Sequence, residues 1–376
     1  NNTYDTMVYY GSELYTDYLN NIQSNGFNVM VYQPKFYYRV VPLKLERNTD
    51  GIGYYMKKGR YYISDTPKPG FKLHPAFYDE DGNELEGIYY SAYENSIRQV
   101  INSGITIVYT SYLQNEITSY DTKCELEAIP GAIPCNNITM TNLENFANPV
   151  NGYANMTCHL ETIKTISANQ LLMMIEYGSL NLQNTLNKGV STLTTSTPIA
   201  TGGTESLGNS SGMGNGTEGE VSFSYRGMEN IYGNINKAIQ GILIYGNGNK
   251  NGGQPYISKG FNYDYSGTPL TNYDAVNFYL ASSTGYIKYF GYDENFDWLF
   301  LPVNATGTSA GPVGDFAYAS ELNSTTPCKL YYGGRQNAKT AVGAFTSGYN
   351  SVYNNKSSAT GARMYFAPKY SGSILS

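Results

Sequence analysis

The side chains best suited to chemistry in this sequence are two histidines, His74 and His159, and the cysteine that precedes the second of them, Cys158. A thiol beside an imidazole could act as a nucleophile activated by a base. Residues adjacent on a chain point apart, however, so a structural role for this pair at the start of a helix is the better interpretation. His74 stands in the sequence Leu-His-Pro-Ala, which favours a turn packed against the core over a general base. We therefore predict no catalytic residue and no enzymatic activity.

The other candidates for chemistry are four cysteines and one acidic run. Cys124, Cys135, Cys158 and Cys328 follow no zinc spacing, and two histidines cannot form a histidine cluster. A disulfide between Cys124 and Cys135 is one of several pairings that the sequence leaves open. The acidic run 79–81 suggests calcium, but its glycine and the following glutamates do not fit an EF-hand loop. We predict no metal and no cofactor.

The composition is compatible with a binding surface. Tyrosine occurs 39 times and glycine 40 times in 376 residues, while charged residues make up 14%. Tyrosine provides wide contact area at little entropic cost, and Asn, Ser and Gly adapt their hydrogen bonds. A β-rich protein with many turns would have a similar composition, so both interpretations stay open. The net charge of −6 argues against a nucleic-acid partner, and no apolar stretch is long enough to enter a membrane as a span.

Local patterns predict the elements that must position any site. Residues 27–43 and 54–63 are rich in β-branched and aromatic residues and predict strands, with a break at the internal proline. Apolar residues at helical spacing predict a helix over 161–177 that continues toward Gly189. The stretch 192–220 is rich in Thr, Ser and Gly and predicts a long exposed loop. Short apolar runs after residue 274 predict irregular, strand-containing structure.

Several segments, taken in order, resemble phage and prophage minor structural proteins with a C-type-lectin-like, formylglycine-generating-enzyme-like fold. The segments that carry this resemblance are 29–39, 62–65, 70–77, 88–96, 173–183 and 224–235. The last of them is similar to a Gly-Asn-Val-Trp-Glu-Trp segment of the enzymes but has neither tryptophan. The glycines and aromatic residues of the C-terminal part follow the order of that fold's last strands and loops.

The resemblance implies an α+β fold with one or two helices and loop-rich β structure. It predicts a short β-rich N-terminal segment, 1–70, followed by the lectin-like domain, 71–376. The enzymes of this family use a cysteine pair to bind copper in the C-terminal core, whereas residues 333–363 contain no cysteine. The oxidase chemistry is therefore not expected here.

The window 333–363 is similar to the variable region of proteins diversified by a diversity-generating retroelement. Its framework positions would be Gly333, Gly334, Gly343, Phe345, Gly361 and Arg363. We expect Phe345 to lie in the core beneath loops 335–340 and 346–358, which would display interchangeable polar and aromatic residues. The predicted ligand-binding residues are Arg335, Gln336, Asn337, Lys339, Thr340, Thr346, Ser347, Tyr349, Ser351, Tyr353, Asn355 and Ser357. A polar, loop-rich tail would have the same composition, so active diversification stays open.

The resemblance predicts a virion protein at the tail or surface, outside the cell, that binds a host-cell surface protein or glycan. Tyr349 and Tyr353 would be its main aromatic contacts. Other virion proteins are expected partners, and the resemblance allows a homotrimer. The alternatives are a structural capsid or tail subunit with a fixed interface and, less favoured, an enzyme of the formylglycine-generating type.

Overall fold

The computed structural model describes residues 7–8, 28–48, 52–101, 106–110, 124–147, 156–246, 252–263, 271–320 and 326–368. These residues form a mixed α+β fold that is mostly β, with many short strands in several sheets. The described part contains three α-helices, namely α1 (Met140–Ala147), α2 (Ile163–Tyr177) and α3 (Leu182–Thr185). It also contains short 3-10 helices at Pro75–Phe77, Glu205–Leu207, Glu294–Phe296 and Lys339–Ala341.

The strands are short except for two in the N-terminal part. The first thirteen are β1 (Met7–Val8), β2 (Asn28–Pro34), β3 (Tyr37–Arg47), β4 (Tyr54–Ser64), β5 (Lys72–Leu73), β6 (Gly87–Ser91), β7 (Ser96–Ile101), β8 (Thr106–Thr110), β9 (Cys124–Glu127), β10 (Met156–Leu160), β11 (Gly212–Met213), β12 (Phe223–Tyr225) and β13 (Met228–Glu229). The remaining twelve are β14 (Asn236–Ala238), β15 (Ile242–Tyr245), β16 (Gln254–Ser258), β17 (Tyr273–Ala275), β18 (Gly285–Tyr286), β19 (Tyr289–Tyr292), β20 (Pro302–Asn304), β21 (Phe316–Tyr318), β22 (Tyr331–Tyr332), β23 (Ser347–Gly348), β24 (Thr360–Gly361) and β25 (Met364–Pro368).

Three larger sheets organise the fold. The first has the order β1-β2-β6-β25-β10, so the last described strand lies between two much earlier ones. The second, β18-β21-β23-β22-β14-β24, gathers two-residue and three-residue strands from the C-terminal half. The third, β20-β19-β4-β3-β5, carries the long hairpin formed by β3 and β4. Three-stranded sheets of the orders β11-β12-β13, β15-β16-β17 and β8-β7-β9 complete the described β structure.

Helix α2 confirms the predicted helix and shows why it ends before Gly189. The Thr162 hydroxyl accepts a hydrogen bond from the Thr165 backbone N–H, and the Thr165 hydroxyl accepts one from the Thr162 backbone N–H, which forms a capping box. Gly178 adopts a left-handed conformation with φ of 61°, which any other residue would adopt at a steric cost. The chain therefore breaks there, and the predicted continuation becomes the separate one-turn helix α3.

The predicted N-terminal strands are confirmed, and they share sheets with the rest of the chain. The strands at 27–43 appear as β2 and β3, separated after Pro34, and 54–63 appears as β4. Strand β2 pairs with β6, and β4 pairs with β19, so two sheets cross the boundary predicted at residue 70. Of the predicted segment 1–70, residues 1–6, 9–27 and 49–51 lie outside the described part.

The stretch 192–220 is mostly irregular, as predicted, but it includes the 3-10 helix at Glu205–Leu207 and strand β11, and it is not exposed throughout. Thr201 and Thr204 are buried, and the carboxylate of Glu229 accepts hydrogen bonds from the backbone N–H groups of Gly202 and Thr204. Burial raises the pKa of Glu229 to about 7. Hydrogen bonds to Glu229 therefore hold the loop against the core. The sequence of the loop gives no indication of this contact.

A network of four fully buried ionisable side chains lies between the first and second sheets, and we call it the buried ion network. Its members are Glu94, Glu161, Lys237 and Arg363. The Lys237 Nζ lies 2.7 Å from the Glu94 Oε1, and the Arg363 guanidinium donates to the carbonyl oxygen of Ser91. Groups this deeply buried are tolerated only when they are paired. Arg363, predicted as a framework position, therefore connects strand β25 to strand β6.

Candidate functional site

His74, the first sequence candidate for chemistry, has a structural role, as predicted. Its ring is fully buried, and its Nδ1 accepts a hydrogen bond from the Ala76 backbone N–H 3.3 Å away, which caps the 3-10 helix at Pro75–Phe77. The second nitrogen, Nε2, lies 3.4 Å from the Ser167 hydroxyl. Burial lowers the pKa of His74 to about 3, so its imidazole stays neutral and fills the core.

Cys158 and His159 are not arranged as a nucleophile and base. They are successive residues of strand β10, so their side chains leave opposite faces. The Cys158 Sγ lies 3.6 Å from the Met364 sulfur, while the His159 ring stacks on Phe261 with centroids 4.7 Å apart. Burial raises the pKa of the thiol and lowers the pKa of His159 to about 4, which opposes thiolate formation. The pair belongs to a strand rather than to the expected helix start.

The cysteines and the acidic run do not form a disulfide or a metal site in the described part of the chain. Cys124, Cys135, Cys158 and Cys328 are buried, and no disulfide joins any two of them. The Asp79 carboxylate accepts hydrogen bonds from the backbone N–H groups of Asp81 and Asn83, at 3.0 and 2.7 Å, and so holds a turn. No group of three or more His, Cys, Asp or Glu side chains in the described residues is placed to hold a metal ion.

The twelve predicted ligand-binding residues divide into three groups. Arg335, Ser351 and Ser357 line one concave surface, described below. Asn337, Lys339, Thr340 and Asn355 are exposed or half-buried but do not line it. Gln336, Thr346, Ser347, Tyr349 and Tyr353 are buried. The prediction that these last five present their side chains to a ligand is therefore wrong.

The buried tyrosines of the window are held by their hydroxyl groups. The Tyr349 hydroxyl donates to the carbonyl oxygen of Ala281 at 2.7 Å, and the Tyr353 hydroxyl donates to the carboxylate of Glu144. Side chains alternate between the two faces of a strand, so Ser347 and Tyr349, on either side of Gly348, point to the core. The side chains at the alternate positions point outward. An error of one residue in the register therefore exchanges the inward-facing and outward-facing side chains.

The outward face of the second sheet is built around one glycine. Gly348 is paired with Tyr318 on one side and with Tyr331 on the other, so the two rings stand on the same face as the glycine. A β-carbon at Gly348 would overlap the Tyr331 ring. The missing side chain therefore allows the tyrosine to lie across β23, and the two tyrosines form a floor between neighbouring strands.

A cavity of about 300 Å³ opens on this face. Strand β14 contributes Asn236 to the cavity and turns Lys237 toward the buried ion network, as alternation requires. The described residues that line the cavity are Asn236, Tyr318, Lys329, Tyr331, Gly334, Arg335, Asn350, Ser351, Ser357, Ala359 and Thr360. Two of them are cationic and none is acidic, although the whole chain has a net charge of −6. The cavity is therefore a polar, cationic depression with two aromatic rings.

Two polar groups in the cavity have hydrogen-bonding capacity to spare. The Asn236 Nδ2 donates to the carbonyl oxygen of Ala359 at 2.9 Å, but its Oδ1 is buried and accepts no hydrogen bond from the described residues. The exposed Arg335 guanidinium makes no ion pair or hydrogen bond to a described side chain. Buried polar atoms are normally paired, so the unpaired Asn236 acceptor, in a cavity that the Arg335 side chain also lines, is compatible with a ligand site.

The other polar groups of the cavity are held in place by the protein itself. The Tyr331 hydroxyl donates to the Asn350 Oδ1 at 2.7 Å. The Lys329 ammonium donates to the carbonyl oxygen of Asn355, and burial lowers its pKa to about 8. Burial raises the pKa of Tyr331, while the nearby Arg335 guanidinium opposes that shift. These contacts fix the tyrosine and the lysine before any ligand arrives, which limits the entropy lost on binding.

Two of the predicted framework positions, Gly343 and Phe345, lie in the turn before β23 and in the core next to it. Phe345 is 1% exposed, which confirms its predicted place in the core. Its backbone N–H donates to the Asp315 carboxylate at 2.7 Å, and burial raises the pKa of Asp315 to about 7. A β-carbon at Gly343 would overlap that carboxylate, which explains the glycine. The turn before β23 is therefore fixed by the contact between its backbone and the Asp315 side chain.

A larger cavity, of about 560 Å³, lies outside the window, between the acidic turn at 79–82 and the start of α2. Its two lysines and Asp79 are held by contacts within the protein. Lys259 lies 3.4 Å from the Asp274 carboxylate, Lys164 donates to the Lys259 carbonyl oxygen, and Asp79 holds its own turn. The smaller cavity is the better candidate for a ligand site because it contains a polar group without a hydrogen-bond partner. The larger volume of the other cavity weighs less than this.

Sequence reasoning missed seven residues of the cavity and named an eighth, Gly334, only as a framework position. Of the seven, Asn350, Ala359 and Thr360 lie inside the window but were not selected, and the others precede it, namely Asn236, Tyr318, Lys329 and Tyr331. The alternation of polar and apolar residues around Gly348 could have identified Asn350. The four residues that precede the window reach the site through contacts between distant segments, for which the local sequence holds no signal.

No protein-family model matches this chain, and a search of curated proteins found none with similar sequence. Within the part of the chain that the structure describes, no helix is long and apolar enough to cross a membrane. Any assignment of function must therefore be argued from the geometry of the site.

Proposed function

We propose that this chain is a receptor-binding protein of a virion tail or surface, and that the cavity around Tyr331 and Arg335 holds a host-surface ligand. The observation that carries the proposal is a cavity that contains the unpaired Asn236 Oδ1 and the Arg335 guanidinium together with the rings of Tyr318 and Tyr331. A concave, polar and partly aromatic surface with convergent hydrogen-bonding groups is typical of a binding site. The role proposed is binding rather than catalysis.

The ligand is expected to carry a carboxylate next to hydroxyl groups. Arg335 and Lys329 supply positive charge without a neighbouring acid, and an arginine can hold a carboxylate by two parallel hydrogen bonds. The Asn236 Oδ1 needs a donor, which a sugar hydroxyl can provide. Tyr318 and Tyr331 offer ring faces for the apolar side of a sugar. An acidic glycan of the host surface fits this combination best, and a protein with an exposed acidic side chain is the alternative.

We further propose that the fold is C-type-lectin-like and that the window 333–363 is its variable region. The placement of the last strand, β25, between β6 and β10 supports this fold, as do the short strands and long loops around the cavity. Arg335, Asn350 and Ser351 line the cavity without contributing to the core, so they can vary without loss of stability. The resemblance in sequence to diversified phage proteins points the same way.

Two exposed cations of the window provide a matched test. Arg335 lines the cavity and Lys339 does not. We expect Arg335→Gln to weaken binding to an array of sialylated and uronic-acid glycans by about ten- to a hundredfold, because a charged hydrogen bond is lost. Lys339→Gln removes the same charge from the same window and should bind like the parent protein. Affinities are read from titrations on the array, with whole host cells as a second surface.

Equal binding by the parent and both variants would contradict the proposed site. Equal losses in Arg335→Gln and Lys339→Gln would show that only the overall charge matters, and would contradict the cavity as the binding element. Binding of neutral glycans alone would contradict the expected carboxylate.

A further inference from the structure

The β3–β4 hairpin, residues 37–64, differs from the rest of the molecule in charge. It contains six Lys or Arg and two Asp or Glu, whereas the remaining sequence contains 18 and 28. The hairpin therefore carries a net charge of +4 and the remainder −10. Such a separation of charge is typical of surfaces that attract a partner.

One face of the hairpin packs on the body of the protein. Tyr55 stacks on Tyr289 with ring centroids 4.2 Å apart, and Tyr61 contacts the Phe300 ring. Glu46 lies opposite Tyr55 in the pairing of β3 with β4 and accepts a hydrogen bond from its hydroxyl. The single described acidic side chain of the hairpin is thus on this inner face.

The outer face of the hairpin is cationic and apolar. Paired residues share a face, and the pairs of this face include Arg39 with Tyr62 and Arg47 with Tyr54. Four exposed cations of the hairpin, Arg39, Arg47, Lys58 and Arg60, form no ion pair with a described residue. Of the nine exposed large hydrophobic side chains in the described part, five belong to the hairpin, namely Leu43, Leu45, Ile52, Tyr54 and Tyr62. A concentration of exposed apolar side chains marks an interaction surface.

A complementary surface exists on the same chain, and we call it the acidic patch. Its acidic residues are Asp79, Glu80, Asp81, Glu84 and Glu86. Their one described cationic partner is Lys35, whose Nζ lies 2.8 Å from Glu86 and 3.8 Å from Glu84. Two more of the nine exposed hydrophobic side chains, Tyr32 and Tyr78, flank the patch, and the Tyr32 hydroxyl donates to the Glu86 carbonyl oxygen. Seven of the nine therefore belong to two surfaces of opposite charge.

The acidic patch also borders the cavity of about 560 Å³. Tyr78 and Asp79 to Asp81 line this cavity together with Phe261. The two lysines that line the cavity are turned to contacts within the chain, with Asp274 and with a backbone carbonyl. The patch therefore offers a recess for exposed apolar side chains such as those of the hairpin.

We propose that the outer face of the hairpin docks on the acidic patch of a second copy of this chain. Because the two surfaces differ, the contact is heterologous, and copies joined head-to-tail close into a ring, such as a trimer, when the rotation between them permits. The charge and apolar character of the hairpin match those of the patch, so the chain carries both halves of the interface. The proposal is independent of the ligand site.

A charge-exchange experiment on the full chain tests this contact. In one variant, Lys58→Glu and Arg60→Glu reverse the sign of two charges on the hairpin. In another, Glu80→Lys and Asp81→Lys reverse the sign of two charges on the acidic patch. The mass of the assembly is measured by light scattering after gel filtration at low salt, over a range of protein concentrations. The parent should form a multiple of the 41.5 kDa chain. Each variant alone should remain at 41.5 kDa to a concentration about tenfold above that at which the parent assembles.

Mixing the two variants restores opposite charge at every contact, and so does placing all four changes in one chain. Both preparations should assemble again. Lys288→Glu, an exposed cation outside the hairpin, should assemble like the parent. A parent protein that stays at the mass of one chain at every concentration overturns the proposal, as do variants that assemble normally or a mixture that fails to reassemble. Binding of a monomeric parent to anionic lipid vesicles through the hairpin would also overturn it, in favour of a membrane surface.

Discussion

Replacing Lys237 with methionine is expected to lower the free energy of unfolding by about 3–5 kcal/mol, since the change leaves a buried carboxylate without its cation. The Lys237 Nζ lies 2.7 Å from Glu94 and donates to the Gly233 carbonyl oxygen at 2.8 Å, and both charged side chains are fully buried. Methionine fills a similar volume, so the loss reports on charge rather than on packing. Denaturant unfolding of the parent and the variant measures the difference.

The double variant Lys237→Met, Glu94→Gln is the control for this prediction. It removes both charges, and glutamine can still accept the hydrogen bond that Asn234 donates to Glu94 at 2.6 Å. We expect the double variant to be more stable than Lys237→Met alone, because replacing both members of a buried pair costs less than removing one. A double variant less stable than the single one would contradict the account of the network.

Replacing Phe345 with alanine is also expected to cost about 3–5 kcal/mol, as for other large aromatic side chains removed from a core. Phe345 is 1% exposed, and its ring centroid lies 5.3 Å from those of Phe290 and Phe300. The change leaves a cavity beside these two rings. Thermal unfolding should shift downward by several degrees.

Asn350→Ala provides the matched control from the same turn region. Asn350 is exposed and lines the ligand cavity, so its removal should change stability by no more than about 0.5 kcal/mol. A Phe345→Ala variant as stable as the parent would place this residue outside the core and contradict the support described for β23.

The elements that local patterns can specify were predicted well. Alternating and β-branched residues identified β2, β3 and β4, and helical spacing identified α2 almost to its ends. These predictions succeed because each element buries its apolar residues at its own period. The insertion of β25 between β6 and β10, and the burial of Glu94 with Lys237, depend on contacts between distant segments.

In the window 333–363, side chains that face inward were predicted to face outward, and the predicted site was therefore partly wrong. Treating 346–358 as one display loop placed Tyr349 and Tyr353 at the surface, yet short β pairing around Gly348 turns Tyr349 inward. Tyr353 is drawn into the core by a hydrogen bond to Glu144, far away in sequence. Arg335 was identified because its place does not depend on strand parity. The tyrosines that do line the cavity, Tyr318 and Tyr331, lie outside the window.

The central claim is that Arg335 holds a carboxylate of the ligand in this cavity, and a double-mutant cycle with a modified ligand tests it directly. The acidic glycan that binds best is compared with the same glycan after its carboxyl group is reduced to an alcohol, using calorimetry on the parent and on Arg335→Gln. Reduction of the carboxyl group should weaken the affinity of the parent for the glycan by about ten- to a hundredfold. It should leave the affinity of Arg335→Gln almost unchanged, because the two changes remove the same hydrogen-bonded pair. Equal losses on reduction in the parent and the variant would show that the carboxylate binds elsewhere and would contradict the claim.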